Sequence, residues 1–287
     1  LLPIMTIVTN VDSDHLDFYP DLPAIEEAFV RFLNQIPFYG TNVVCGDDPG
    51  LQKLLPRVKR PLLRYGFGQE NDIRAEITES GTVSRFRVLI QGRSWGEIAL
   101  SQPGEHNVLN ALGVVGLALQ AGIPRQDIIR GLERFTGVGR RMEKKGRVGN
   151  IQVVDDYGHH PTEIRVTLQT MKEVYPDKRL VVVFQPHRFS RTKALFGDFC
   201  RAFAAADLLI LTEIYPASED PIPGINGNSL LQGIRQVGGV EAIFCPDFDE
   251  CLRVLMEQGR AEDVVLTLGA GSVWQLGERF LQMAGAG

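Results

Sequence analysis

The run Val153-Val154-Asp155-Asp156-Tyr157-Gly158-His159-His160-Pro161-Thr162-Glu163 joins a β-branched stretch to a helix-opening proline, and the rest of the chain reads outward from that junction. Ile151 to Val154 has the short, apolar character of a buried strand. Pro161 suits the first turn of a helix, where a missing N–H costs nothing. The spacing predicts a helix from about Pro161 to Val174 with Ile164, Leu168 and Met171 on one face. Two carboxylates, a phenol and two of the chain's five histidines therefore fall between a strand end and a helix start. In α/β sheets ligands bind at that edge, because helix N-termini and loop side chains converge there. A blander arrangement has Asp155 or Asp156 capping the helix and both histidines solvated.

The chain has 287 residues, 44% hydrophobic and 23% charged, the balance of an ordinary globular protein. That length suits two domains or one large one. A formal net charge of −5 argues against a general binder of nucleic acid or of an anionic membrane, while leaving room for a local anion pocket. No stretch approaches the roughly 18 consecutive apolar residues of a membrane span. Cys45, Cys200, Cys245 and Cys251 are scattered, and the last two sit six apart, which fits no usual zinc spacing. They read as reduced thiols and point to a cytoplasmic setting. Leu1-Leu2-Pro3-Ile4 has no basic n-region or cleavage site and reads as a chain entered partway through a domain.

Ile4 to Thr9 reads as a strand, followed by Asn10-Val11-Asp12-Ser13-Asp14-His15-Leu16-Asp17. Acidic groups and an imidazole at a strand end suit either a magnesium site or a helix-capping cluster. Ala24 to Ile36 is amphipathic, with Ile25, Ala28, Phe29, Phe32, Leu33 and Ile36 inward. Asn42 to Cys45 is a short buried strand, and a turn at Asp47 to Gly50 opens a short helix. Arg74–Thr78, Ser84–Ile90 and Trp95–Leu100 alternate with period two, as a small antiparallel meander inserted in or appended to an α/β domain. A long helix then opens at Gly104 and reaches Ala121, with Asn107 and Asn110 on one face. They suit either a planar ligand or, for Asn107, a cap.

Thr136 to Arg141 marks the boundary, giving domains over residues 1–137 and 138–287. Arg140, Arg141, Lys144 and Lys145 form either a solvated charge run or a source of cations for a phosphate. Strands at Leu180–Phe184, Leu208–Thr212, Ala242–Cys245 and Val264–Leu268 alternate with helical stretches, which predicts a doubly wound parallel sheet. The polar clusters 155–160, 185–191 and 213–219 all fall at carboxyl ends of strands. His187, Arg188 and Arg191 suit an anion receptor. Gly269-Ala270-Gly271-Ser272 lacks the third glycine of a dinucleotide motif and reads as a tight turn.

The segments 9–17, 106–110, 139–141, 155–163 and 184–192, taken in order, resemble the Mur ligases, the ATP-dependent amide ligases of peptidoglycan precursor synthesis. The runs Asp155–Glu163 and Gln185–Arg188 are most similar to the alanine-adding branch. The resemblance implies an incomplete central ATPase domain followed by a Rossmann-like domain. It also implies ATP and magnesium, with UDP-N-acetylmuramate and L-alanine as substrates joined through an acyl phosphate. His15 would be a magnesium ligand, and Asn107 and Asn110 would contact adenine. Arg141, Asp156 and Tyr157 would serve the nucleotide. His187, Arg188 and Arg191 would receive the muramyl substrate, with His159 and His160 lining that cleft. Arg141, Asp156, His159 and His160 are thus the candidate catalytic residues.

The chain departs from the family in having no G-x-x-x-x-G-K-[ST] loop, no lysine before Lys53 and no magnesium-holding glutamate upstream of His15. The expectation is an inactive isolated chain that needs an amino-terminal segment carrying the phosphate loop. The rival readings are a non-catalytic binding module, either a natural fragment or half of a split ligase, a sibling ligase that reattaches recycled peptide, and a nicotinamide oxidoreductase resting on Gly269 to Gly271 and the doubly wound pattern.

Overall fold

A computed structural model describes residues 3–14 and 18–285, which fall into two compact units, Leu1–Thr136 and Gly137–Gly287. The first unit runs β1 (Met5–Val8), α1 (Leu22–Asn34), β2 (Thr41–Cys45), α2 (Pro49–Leu54), β3 (Leu62–Gly66), β4 (Ile73–Glu79), β5 (Ser84–Ile90), β6 (Arg93–Leu100), α3 (Glu105–Gln120) and α4 (Arg125–Arg134). Its six strands lie side by side in chain order, parallel from β1 to β4 and antiparallel from there.

The meander is therefore the far half of one mixed sheet, neither an insertion nor an appendage. Its link is β3, which the periodicity misses because Arg64 interrupts so short an apolar run. The helix α1 starts two residues earlier than its apolar stripe suggests, because Asp21 caps it by accepting from Ala24 N at 2.9 Å. Ile25, Val30 and Leu33 are buried, but Phe32 is 38% exposed, against expectation. Adjacent helical residues point about 100° apart, so with Leu33 facing the core Phe32 is turned aside. Helix α3 packs Val108, Leu112 and Val115 inward. A Cβ on Gly116 would come within 2.7 Å of Val43 Cγ1, so glycine there lets α3 press on the sheet.

The second unit runs β7 (Glu143–Val148), β8 (Ile151–Asp156), α5 (Pro161–Val174), β9 (Arg179–Phe184), α6 (Phe189–Ala194), α7 (Phe196–Arg201), β10 (Leu208–Leu211), α8 (Gly227–Val237), β11 (Glu241–Phe244), α9 (Phe248–Gln258), β12 (Asp263–Leu268) and α10 (Trp274–Gly285). The sheet order is β11-β10-β9-β12-β8-β7. Five strands are parallel, as the alternation predicts, but β7 runs antiparallel to β8 at the edge. Its Lys144-Lys145-Gly146 run hid it, since an edge strand with a solvated face has no need of an apolar pattern.

Alternate strand residues face opposite sides. Val153, Val181, Ile210 and Val265 pack with Leu252, Leu255, Leu276 and Phe280 of α9 and α10. On the other side Phe184 meets Phe199 and Phe203, and α5 buries Ile164, Leu168 and Met171. Neither Asp155 nor Asp156 caps α5. His160 is the cap, its Nδ1 accepting from Thr162 N, while Glu163 reaches back to the His160 N–H. The carboxylates lie inside β8, five and four residues before the cap position, too early in the chain to reach the free N–H groups of α5.

Among the described residues no helix is long and apolar enough to cross a membrane. Leu168→Ala is expected to destabilise the second unit by about 2–5 kcal/mol. The measurement is the urea midpoint of Trp274 fluorescence in a Trp95→Phe background, where a loss under about 1 kcal/mol would place Leu168 outside the core.

Candidate functional site

The carboxyl end of β8 carries two adjacent aspartates with separate tasks, because the pleat sends them to opposite faces. Asp155 is fully buried on the α10 side, where it accepts from Thr267 Oγ1 at 2.6 Å and from Arg140 Nε at 2.9 Å. Arg140 also donates to the carbonyls of Gly269 at 2.6 Å and Gly271 at 3.2 Å, and it lies over the ring of Tyr157. Its own carbonyl accepts from Tyr157 N. One guanidinium thus ties together the chain entering β7, the end of β8 and the turn after β12.

Asp156, 3% exposed, faces α5. Its Oδ1 accepts from Gly158 N at 2.8 Å and Thr167 Oγ1 at 3.3 Å, and its Oδ2 accepts from Met142 N at 2.9 Å. Burial pushes its carboxyl above the usual range, opposed by the Gly158 and Met142 N–H groups and the Arg141 charge. Arg141 itself is half exposed, 3.4 Å from Glu163 and stacked on Tyr157. Of the neighbouring arginines, then, Arg140 is the strut and Arg141 presents its charge outward. The sequence offered both arginines as a charge run or a source of cations, and the family resemblance gave a specific role to Arg141 alone, since only the sheet shows which of the two meets a buried carboxylate.

Glu163 accepts from the backbone of both His159 and His160. Burial works against its charge, yet these hydrogen bonds and the facing His159 and Arg141 charges hold its carboxyl below the usual range. His159 Nδ1 lies 3.1 Å from the Tyr157 carbonyl. A carbonyl only accepts, so that nitrogen carries the proton.

His187, Arg188 and Arg191 follow β9. The His187 ring stacks on Tyr215 with centroids 5.5 Å apart and planes 9° from parallel, and it lies 5.9 Å from His159. Arg191 Nη1 is 3.3 Å from His187 Nδ1. Burial, then the Arg191 charge, lowers the His187 pKa to about 4, with His159 and Arg188 acting in the same sense and Glu219 against. Glu219 accepts from Ser190 N and Oγ and faces Arg188 at 3.9 Å. Burial opposes its ionisation, but these donors keep its carboxyl below the usual range. Tyr215 and Glu219 lie in a cluster the sequence placed correctly, but nothing in the sequence pairs them with the loop after β9.

Among the described residues six non-glycine positions have left-handed backbone, and five are here: Arg140, Met142, Arg188, Ala217 and Ser218. Such conformations cost about 1–3 kcal/mol each and collect where geometry serves a site. The turn after β12 is closed differently from a dinucleotide loop. Gln185 Oε1 accepts from Val273 N at 3.1 Å, taking an N–H that a phosphate would need, and Arg140 holds the Gly269 and Gly271 carbonyls. That arrangement disfavours the nicotinamide reading.

In the first unit Asn107 donates to the Pro103 carbonyl at 2.8 Å, bracing the start of α3, whose cap Gly104 has no side chain. Asn110, one turn on, is exposed and 3.5 Å from the Asn107 Oδ1, so the pair shares a face. His15 lies outside the described residues. Among those described, no three His, Cys, Asp or Glu side chains are grouped to hold a metal ion.

Arg140→Ala leaves the buried Asp155 without its cation and is expected to cost about 3–5 kcal/mol. Adding Asp155→Asn should recover part of that loss in urea unfolding, and equal instability of the single and double variants would defeat the buried-charge account. His187 gives a second test. Its folded pKa lies below the unfolded value of about 6.5. Its contribution to stability is therefore present above pH 6.5 and is lost as pH falls towards about 4. The acid slope of the urea midpoint should be shallower in His187→Gln than in the parent chain.

The Mur ligase middle domain matches residues 1–118, and the Mur ligase glutamate ligase domain matches residues 140–271. The chain is 58% identical over 281 residues to a UDP-N-acetylmuramate–L-alanine ligase of Oleidesulfovibrio alaskensis, covering 98% of this chain and 62% of that protein. The crystal structure of UDP-N-acetylmuramate-alanine ligase MurC from Thermotoga maritima is 30% identical with a TM-score of 0.78, covering 99% of this chain and 60% of that one. The MurF ligase of Thermotoga maritima in complex with ADP shares the fold at 19% identity, with a TM-score of 0.72 and coverage of 99% and 62%. The chain spans about three-fifths of the length of the curated relatives it matches. The two domain matches together take in most of the sequence, and the chain belongs to the Mur ligase family, of which it carries the middle and carboxyl-terminal domains.

Proposed function

We propose that this chain is the middle and carboxyl-terminal part of an ATP-dependent ligase that adds L-alanine to UDP-N-acetylmuramate in the cytoplasm, a step of peptidoglycan precursor synthesis. The observation that carries the reading is the cluster at the sheet edge of the second unit, on a chain 58% identical to a protein of that name. The substrate carboxylate takes the γ-phosphoryl group of ATP and becomes an acyl phosphate, releasing ADP. The alanine amine then attacks the acyl carbon, and phosphate leaves from the tetrahedral intermediate. No protein nucleophile is required. The work is to orient two reactants and to place positive charge where negative charge develops.

The residues divide accordingly. Arg141 offers a half-exposed cation to phosphate, carried on a loop held by Asp156 and stiffened by two left-handed residues. Arg188 and Arg191 supply the planar forks that carboxylate and phosphate accept, and the Ser190–Glu219 hydrogen bonds fix the loop bearing Arg188. His159 and His160 border the same edge, with His160 committed to capping α5. In the first unit Asn110 has an exposed amide for adenine. His15 would be the magnesium ligand, and a bound magnesium ion would neutralise phosphate charge.

The test is phosphate release from ATP that depends on both UDP-N-acetylmuramate and L-alanine. The 287-residue chain alone is expected to give background rates, because it has no glycine-rich lysine loop to cradle the phosphates. Fused behind the preceding segment of the Oleidesulfovibrio relative it should turn over. Turnover by the chain alone would overturn the need for that segment, and an inactive but folded fusion would overturn the ligase reading. In the fusion, Arg191→Ala should raise KM for UDP-N-acetylmuramate about 10- to 100-fold, the worth of a hydrogen bond to a charged group. Asn110→Ala should raise KM for ATP and leave the muramyl KM unchanged.

A further inference from the structure

The His187 imidazole is gripped from two directions. Arg191 Nη1 approaches Nδ1 at 3.3 Å. A guanidinium has donors only, so Nδ1 must be the acceptor and the ring proton resides on Nε2. Tyr215 covers one ring face, with centroids 5.5 Å apart and planes 9° from parallel. Tyr215 is itself anchored as one rung of a parallel bridge to His187, with its N–H donating to the Pro186 carbonyl at 2.8 Å and its carbonyl accepting from Arg188 N at 2.9 Å. Tyr215 also abuts Gly271, where a Cβ would lie 2.8 Å from the tyrosine Cγ. The tyrosine is therefore in contact with both the turn after β12 and the imidazole. We propose that Tyr215 is a positioning residue that, with Arg191, holds His187 as an uncharged Nε2–H donor to an anionic oxygen of the substrate.

The charges around His187 agree with this. Burial disfavours a second proton on the ring, as do Arg191 and Arg188 from its own loop and His159 from the loop after β8, while Glu219, from the loop bearing Tyr215, acts in the opposite sense. A ring that stays neutral across pH 5 to 8 is a poor base for an ammonium group but a permanent N–H donor. In an edge already rich in arginine, it supplies direction without a further positive charge. The identity of the anion rests on the ligase reading above, while the ring's tautomer and the stacking do not.

The experiment is nitrogen-15 NMR of the histidine rings in the parent chain and in Tyr215→Phe and Tyr215→Leu. The parent and the Phe variant should give an Nε2–H tautomer that titrates well below pH 6. Tyr215→Leu, which uncovers the ring face to water, should move the midpoint up by about one pH unit. Acetate and inorganic phosphate are then titrated separately as carboxylate and phosphate probes. Whichever perturbs Nε2 names the class of anion, and it should bind about 10-fold more weakly to the Leu variant. In the fused enzyme, Tyr215→Leu should raise KM for UDP-N-acetylmuramate with kcat largely kept, and Phe should restore it. An Nδ1–H tautomer in the parent, an unmoved midpoint in the Leu variant, or no response to either anion overturns the proposal. An Nε2–H ring with the expected anion response in a fusion without ligase activity would instead sink the ligase reading and leave the role of Tyr215 standing.

Discussion

Two consecutive carboxylates at the end of a central strand can both be buried only if each finds its own partners on its own face of the sheet. Asp155 meets this requirement with Thr267 and Arg140, and Asp156 with the backbone of Met142 and Gly158 and the Thr167 hydroxyl. Taking an unpaired carboxylate out of water costs several kcal/mol even after relaxation. The constraint therefore propagates. Arg140 must sit where it does, Arg141 is turned outward beside it, and the turn after β12 must offer its carbonyls to the same guanidinium. The backbone accepts left-handed conformations at Arg140 and Met142 to comply.

A second consequence is a row of planar groups along the sheet edge. Tyr157 lies under both arginines, His159 meets Tyr157 edge-on, His187 lies beside His159, and Tyr215 stacks on His187. The loops after β8, β9 and β10 are tied together at this row, so the cations beside it are held at fixed spacing. Preorganisation of this kind suits a reaction whose barrier is lowered by positioning and by charge.

The first unit follows a simpler logic. Its sheet continues from parallel to antiparallel without a break, and α3 packs closely across it at Gly116. The Asn107–Asn110 pair opens that helix: Asn107 is occupied in bracing the backbone and Asn110 stays exposed.

By itself the sequence determined the α/β character, the positions of most elements, and the placing of every polar cluster at a strand's carboxyl end. It could do so because periodicity, caps and punctuating glycines and prolines are local signals, as with α5, which runs from Pro161 to Val174 as its spacing predicts. It missed β3 and β7, since pairing decides whether a short or edge strand forms, and pairing partners are distant in the chain. Which of two arginines meets the buried carboxylate, which acid residue meets Met142, and that a histidine rather than an aspartate caps α5 were likewise decided by tertiary structure. The physical reason is the same in each case. A side chain's role is set by the face it occupies and by the groups brought opposite it, and the partners of Arg140 and His187 lie far away in sequence, at Gly269 and Tyr215.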